Sequence, residues 1–212
     1  MKYLLLTLLL IAATAGSSFS QDAPIPIQIF TTSDYMSFEM NINKKFQAGS
    51  RLGFFNVTTY RGYYDNDQSQ NEYLTQSYLV YELTGGLSLS AGALMHFIYG
   101  FRPTAGLQYS YISPEFLMVL FPRFDLTEDH NFEIFGFLEY KPPLDADWAL
   151  YSSLQGMYNH NVELNAHDRS YIFLRLGVTH TKYTIGMGGN IDFFGPDKAN
   201  ENRLGAFLRV EL

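Results

Sequence analysis

The chain is predicted to be all-β: a transmembrane antiparallel β-barrel of about 12 strands, with about 10 as the alternative count, after a cleaved N-terminal signal peptide. Three observations predict it. Segment after segment alternates apolar and polar residues; one short apolar leader is followed by no run long enough for a helix to cross a bilayer; and aromatic residues recur at both ends of several strands on one face. The alternation is plainest at the C-terminus. Leu204, Ala206, Leu208, Val210 and Leu212 fall on one face, and Arg203, Gly205, Phe207, Arg209 and Glu211 on the other, the two-residue period of a strand. So regular a final strand suits a closed sheet in which the last strand pairs with the first.

The leader Met1-Lys2-Tyr3 is followed by an apolar run over 4–13, well short of the ~20 residues of a membrane-spanning helix. Ser18 and Ser20 provide small residues at the −3 and −1 positions of a cleavage site, so 1–20 is expected to be a signal peptide and 21–212 the barrel. There is no cysteine, which excludes a lipoprotein anchor and a disulfide framework. The 14 Lys and Arg stand against 21 Asp and Glu, a net charge of −7 that becomes −8 when Lys2 leaves with the signal. That sign argues against nucleic acid, whose binding needs basic surface to displace phosphate counterions. No linker or change of composition divides the mature chain, so one domain is expected.

In chain order the alternation places strands at 25–31, 34–43, 50–60, 72–83, 87–98, 102–112, 115–124, 131–140, 147–159, 169–181, 183–194 and 202–212. Bacterial single-chain barrels have even strand numbers, short inward turns and longer outward loops. With both termini inward, the inward connections are 44–49, 84–86, 113–114, 141–146 and a tight turn at Lys182, mostly short and carrying Gly or Pro. The outward ones are 32–33, 62–71, 99–101, 125–130, 160–168 and 195–201, mostly longer and rich in Asp, Asn and Glu.

Alternation alone does not separate a membrane barrel from a soluble one, in which the two faces are exchanged. The aromatics do. Tyr73 and Tyr81, Phe116 and Phe124, Phe132 and Tyr140, Trp148 and Tyr158 are pairs of one parity, eight to ten positions apart. At about 3.3 Å per residue and a tilt of about 40°, such pairs bracket the ~25 Å apolar band of a barrel as two interfacial girdles. Between them lie Ile134 and Leu138, or Leu150 and Leu154. The opposite parity then lines the lumen with Glu39, Arg123, Glu133, Glu139, Arg175, Asp192, Arg203, Arg209 and Glu211. Arg supplies nearly all the positive charge there, as suits a confined space where each charge needs a bidentate partner. The mixture of signs predicts weak selectivity, since a strongly anion-selective pore needs a track of one sign.

Chemistry-bearing constellations are few. His130, His160 and His167 fall on outward loops with Asp125, Glu128, Asp129, Glu163 and Asp168; imidazole and carboxylate could bind a transition metal, though a solvated acidic rim is the commoner explanation. Asp65, Asp67 and Ser69 imitate the opening of a calcium loop, but Gln70 and Gln76 stand where its Gly and bidentate Glu belong. Gly186-Met187-Gly188-Gly189 lies inside a strand and not between a strand and a helix, so it is no phosphate loop. Barrel lipases carry His and Ser two apart, on one strand face, so that the imidazole activates the hydroxyl. Here His167 and Ser170 are three apart, which in a regular strand puts them on opposite faces. An aspartate-type protease would need Asp129, His130 and His167 to converge at the rim.

On these strands, girdles and inward charges, the span 21–212 resembles the small porin-like β-barrels of the Gram-negative outer membrane, although Leu212 replaces the commoner terminal Phe. The resemblance implies an outer-membrane location, contact with lipid and lipopolysaccharide, divalent cations bridging an acidic outer rim, and no cofactor. The expected function is a narrow, weakly selective channel for small hydrophilic solutes. The alternatives are a closed structural barrel docking beside a larger export or assembly complex in the outer membrane, through small or polar outward residues such as Thr75, Ser77, Ser152 and Gly156, and a rim hydrolase acting on lipid or peptide.

Overall fold

The computed structural model describes residues 24–128 and 130–212; the proposed signal peptide, 1–20, and Asp129 lie outside them. The described residues form a closed antiparallel barrel of twelve strands. In chain order these are β1 (Pro26–Thr32), β2 (Tyr35–Lys45), β3 (Leu52–Tyr63), β4 (Glu72–Thr84), β5 (Leu87–His96), β6 (Gly100–Ile112), β7 (Phe116–Asp125), β8 (Phe132–Tyr140), β9 (Trp148–Asn161), β10 (Ala166–His180), β11 (Tyr183–Phe194) and β12 (Ala199–Glu211). Each pairs with its neighbours in sequence. The ring closes where β1 meets β12, from Pro26 opposite Glu211 to Thr32 opposite Gly205, and reciprocal 3.0 Å bonds between Ile25 and Leu212 extend the seam. Closure leaves no unpaired edge, which hydrocarbon could not solvate.

The twelve-strand count, not ten, is the one the structure has. Two outward loops are shorter than the sequence suggests. Residues 160–168 and 195–201 were expected to be loops, yet β9 runs to Asn161, β10 begins at Ala166 and β12 begins at Ala199. The ladder continues past the apolar band, where side chains on both faces are polar and the alternation fades although backbone pairing does not. Asn165, Gly195 and Lys198 supply the positive φ that lets these hairpins turn tightly. The longer β3–β4 loop holds a single 3₁₀ turn, Gln68–Gln70, capped by Asp67. Ser69 and then Gln70 donate to the Asp67 carboxylate and hold it below the ordinary carboxylate range. The oxygens that imitate a calcium loop are thus occupied by the loop's own donors.

The outer face is apolar over a continuous belt: Leu79, Leu107, Leu154, Leu174, Ile185 and Leu208 are exposed, and Leu204 is 81% exposed. Tyr73, Tyr81, Phe124, Tyr140, Trp148 and Tyr158 are exposed on this face, and Phe116 and Phe132 are half-buried on it. The buried residues are chiefly charged and polar side chains turned inward, among them Arg123, Glu133, Arg175, Asn190, Asp192 and Arg209. Such an inside-out distribution is that of a transmembrane barrel. Replacing Leu174, outward at mid-strand, by Arg is therefore expected to destabilise the barrel in lipid vesicles by about 2–4 kcal/mol, read as a lower denaturant midpoint in an unfolding titration.

Candidate functional site: the lumen

A cavity of about 310 Å³ opens at the outward end and reaches to mid-barrel. Its floor shares Gln28, Glu39, Gln155, Phe173 and Arg175 with a second space of about 10 Å³ on the inward side, bordered also by Ser153, Tyr151 and Arg209. The second space is the size of one water. The lumen is thus a vestibule above a constriction.

Two ion-pair networks build the vestibule wall. In the first, Arg169 on β10 pairs with Glu72 on β4 at 3.0 Å and with Asp192 on β11 at 2.6 Å, while Arg61 on β3 lies 3.6 Å from both acids. In the ring order β4 and β10 are six strands apart, diametrically opposite, so the Glu72–Arg169 pair is a strut across the lumen that draws the two walls together. In the second, Arg123 makes a 3.0 Å bond through Nε and a 2.8 Å contact through Nη2 to Glu133, and a 2.6 Å bond to Asp125. Asp125 also accepts from Arg102 at 3.2 Å, and Glu133 from Asn159 at 3.2 Å. At the mouth Arg203 pairs with Asp34.

At the constriction Arg175, 5% exposed, lies flat against the wall. Gly188 makes that path available, because a Cβ there would stand 2.6 Å from Arg175 Cδ. Its Nη1 donates to Asn190 Oδ1 at 2.8 Å and to the Leu174 carbonyl at 2.9 Å, and the guanidinium sits 3.9 Å above the Phe30 ring. Asn190 in turn donates to the Tyr35 hydroxyl at 2.8 Å. Among the described residues no carboxylate is within ion-pair distance of Arg175, unlike the arginines of the vestibule. Glu39, across the constriction on β2, accepts from Asn41 at 2.8 Å. Below, Arg209 pairs with Glu139 at 2.8 Å and with Glu211 at 3.4 Å, and Lys141 meets Glu211 at 2.8 Å.

Much of the remaining width is filled by apolar side chains turned inward. Phe55, Val57, Tyr78 and Phe121 form one buried cluster and Phe30, Tyr35, Tyr151 and Phe207 another; Tyr78 and Phe121 meet edge to face at 5.0 Å. Eight strands close on a space that side chains just fill, and in this wider barrel these rings narrow the passage. They were legible from parity, since Phe121 shares a face with Arg123 and Phe207 with Arg209, yet an apolar residue is by type assigned to lipid.

The lumen residues expected from the sequence, Glu39, Arg123, Glu133, Glu139, Arg175, Asp192, Arg203, Arg209 and Glu211, all carry inward parity in the observed registers. Arg61, Glu72, Arg102, Asp125 and Arg169 join them and were missed: they stand at strand ends, where a charged residue is indistinguishable from a loop residue. The histidines do not assemble. Among the described residues no three His, Asp or Glu side chains form a metal-holding group. His160 and His167 are cross-strand partners, but both ring nitrogens of His167 contact other groups, Gly195 O at 2.6 Å and Ser170 Oγ at 3.0 Å, and His130 lies in the β7–β8 turn at φ 44°. A Glu72→Gln change should weaken the lumen strut and, at about 1.5–3 kcal/mol for a charged hydrogen bond, lower the temperature at which the folded band converts to the unfolded band on a detergent gel.

No family model matches the chain, and no curated protein matches it. Among solved structures it is similar to the KdgM porin, with a TM-score of 0.50 and 11% identity over 89% of this chain and 98% of that one. It is also similar to the NanC porin, at 0.49 and 13% over 90% and 100%, and to the outer membrane protein OprD from Pseudomonas aeruginosa, at 0.43 and 14% over 87% and 63%. At such identities the likeness to KdgM is one of fold, and the fold of this chain is that of a porin-type β-barrel.

Proposed function

We propose that the protein is a narrow, weakly selective channel for small hydrophilic solutes in the Gram-negative outer membrane. The observation that carries this reading is the vestibule, walled by ion pairs and apolar side chains, whose floor at Gln28, Glu39, Gln155, Phe173 and Arg175 also borders a water-sized space on the inward side. Solute would pass through water and along fixed dipoles, with no bond made or broken. The vestibule arginines are paired with carboxylates, so selectivity falls to Asp168 at the vestibule wall, held by the Tyr99 hydroxyl, and to Arg175 and Glu39, one cation and one anion facing the same opening. The apolar belt and its girdles match the lipid environment that this function requires, and the fold shared with the KdgM porin supports it.

A second reading, a closed structural barrel, is favoured by one observation: the two inward aromatic clusters occupy much of the cross-section. Planar-bilayer recording separates the two. Discrete, small conductance steps from the folded protein are the expected result; silence from folded protein would support the closed barrel. Arg175→Ala is expected to raise the step size severalfold and to move the reversal potential in a salt gradient toward cation preference. Glu39→Gln should move it in the opposite direction.

A further inference from the structure

The outer side of the same wall carries an arrangement that the lumen does not use. The β9–β10 register shifts between His167 and Arg169, leaving Asp168 as the extra residue of a bulge. The Asp168 carboxylate accepts from the Tyr99 hydroxyl at 3.0 and 3.1 Å, and both Asp168 and Arg169 line the vestibule. Two successive residues therefore face inward. In consequence His167 and Ser170, expected on opposite faces of a regular strand, share the outward face with Tyr158, the cross-strand partner of Ser170. This corrects the reading from spacing alone.

The geometry of the pair is specific. His167 Nε2 is 3.0 Å from Ser170 Oγ, and His167 Nδ1 is 2.6 Å from the Gly195 carbonyl oxygen. A carbonyl oxygen only accepts, so Nδ1 carries the proton; a neutral imidazole has one N–H, so Nε2 is bare and takes the hydrogen of Ser170 Oγ–H. Nucleophile, base and orienting acceptor are thus aligned within hydrogen-bond reach. The orienting acceptor is itself fixed, because Gly195 N–H donates to the Asp168 carbonyl at 2.7 Å, tying the β11–β12 turn to the bulge. His167 is buried, with its ring 5.6 Å from that of Tyr158. Ser170 lies between Tyr158 and Phe193, its partners on the two flanking strands, at the outward end of the apolar belt.

We propose that Ser170 and His167 form the nucleophile and general base of an esterase that acts on acyl esters of lipids in the outward leaflet. Ser170 Oγ attacks the ester carbonyl carbon while its proton moves to His167 Nε2. The tetrahedral adduct collapses, the bond from the carbonyl carbon to the alcohol oxygen breaks, and His167 returns the proton to the departing alkoxide. Water, deprotonated by His167, then releases the fatty acid from the acyl-serine, and the proton returns to Ser170 Oγ. The aromatic side chains on either side suit the acyl chain. The activity depends on the barrel standing in a bilayer and is independent of conduction through it.

The test uses the full protein in detergent and in vesicles, with its folded state followed by its mobility on an unheated gel. A fluorophosphonate should label the folded wild type at Ser170, located by mass spectrometry of peptides, and Ser170→Ala should abolish the label. Fatty-acid release should be lost in Ser170→Ala and fall by about 10²–10⁴-fold, the usual contribution of a general base, in His167→Asn. Vesicles of diacyl phospholipid and, separately, purified lipopolysaccharide are the two arms; release from either supports the esterase and names its ester source. Conductance should be unchanged in Ser170→Ala, whose side chain is outside the lumen. Folded wild type that takes no label and releases no fatty acid in either arm overturns the proposal, and so does release that survives Ser170→Ala.

Discussion

The structure depends on the seam between β1 and β12. A sheet in hydrocarbon has no water to satisfy an open edge, so every backbone donor and acceptor along both terminal strands must find a partner in the other. Residues 26–32 meet 205–211 one for one, and once that register is set, parity is set all the way round. One set of side chains meets lipid and the other is enclosed, with no residue free to exchange faces except at a bulge.

Enclosure creates the next constraint. A twelve-strand ring is wider than its side chains can fill by lining alone, and the enclosed charges are far from bulk water. The chain meets both conditions together. Arginines and carboxylates pair with one another, some between adjacent strands, as Arg123 with Glu133, and some across the lumen, as Arg169 with Glu72. Inward aromatic rings occupy the width the ion pairs leave. What remains is a vestibule of about 310 Å³ and a constriction at Arg175. The guanidinium there is held by amide and carbonyl oxygens and a ring face instead of a carboxylate, whereas the vestibule arginines are held by carboxylates.

The two faces of the wall are coupled at the β10 bulge. One inserted residue adds Asp168 to the vestibule beside Arg169 and, in the same step, sets His167 next to Ser170 on the lipid side. A single irregularity thus shapes both the mouth of the lumen and the outer surface. Bulges concentrate at barrel rims because pairing can be interrupted there without exposing unpaired backbone to hydrocarbon.

The sequence by itself determined the architecture: an even count of strands near twelve, termini on one side, which parity meets lipid, and nearly every strand to within a few residues; that the ring has twelve strands and not ten was decided by the structure. A two-residue period repeated along a whole chain leaves few alternatives, and the paired aromatics Phe132 and Tyr140 or Trp148 and Tyr158 supply a ruler for the bilayer. It did not determine who meets whom across the lumen. Glu72 and Arg169 are 97 positions apart and on opposite walls, and their contact follows from ring closure, which no local pattern encodes. Parity set Phe121 on the face of Arg123, but residue type did not mark Phe55, Tyr78 and Phe121 as inward, because burial among other rings and burial in lipid select the same residue types. The bulge at Asp168 likewise has no signature in composition. Only the register of β9 against β10 decides that two residues three apart in sequence share one face, and that decision separates a closed reading of the His167–Ser170 pair from a chemical one.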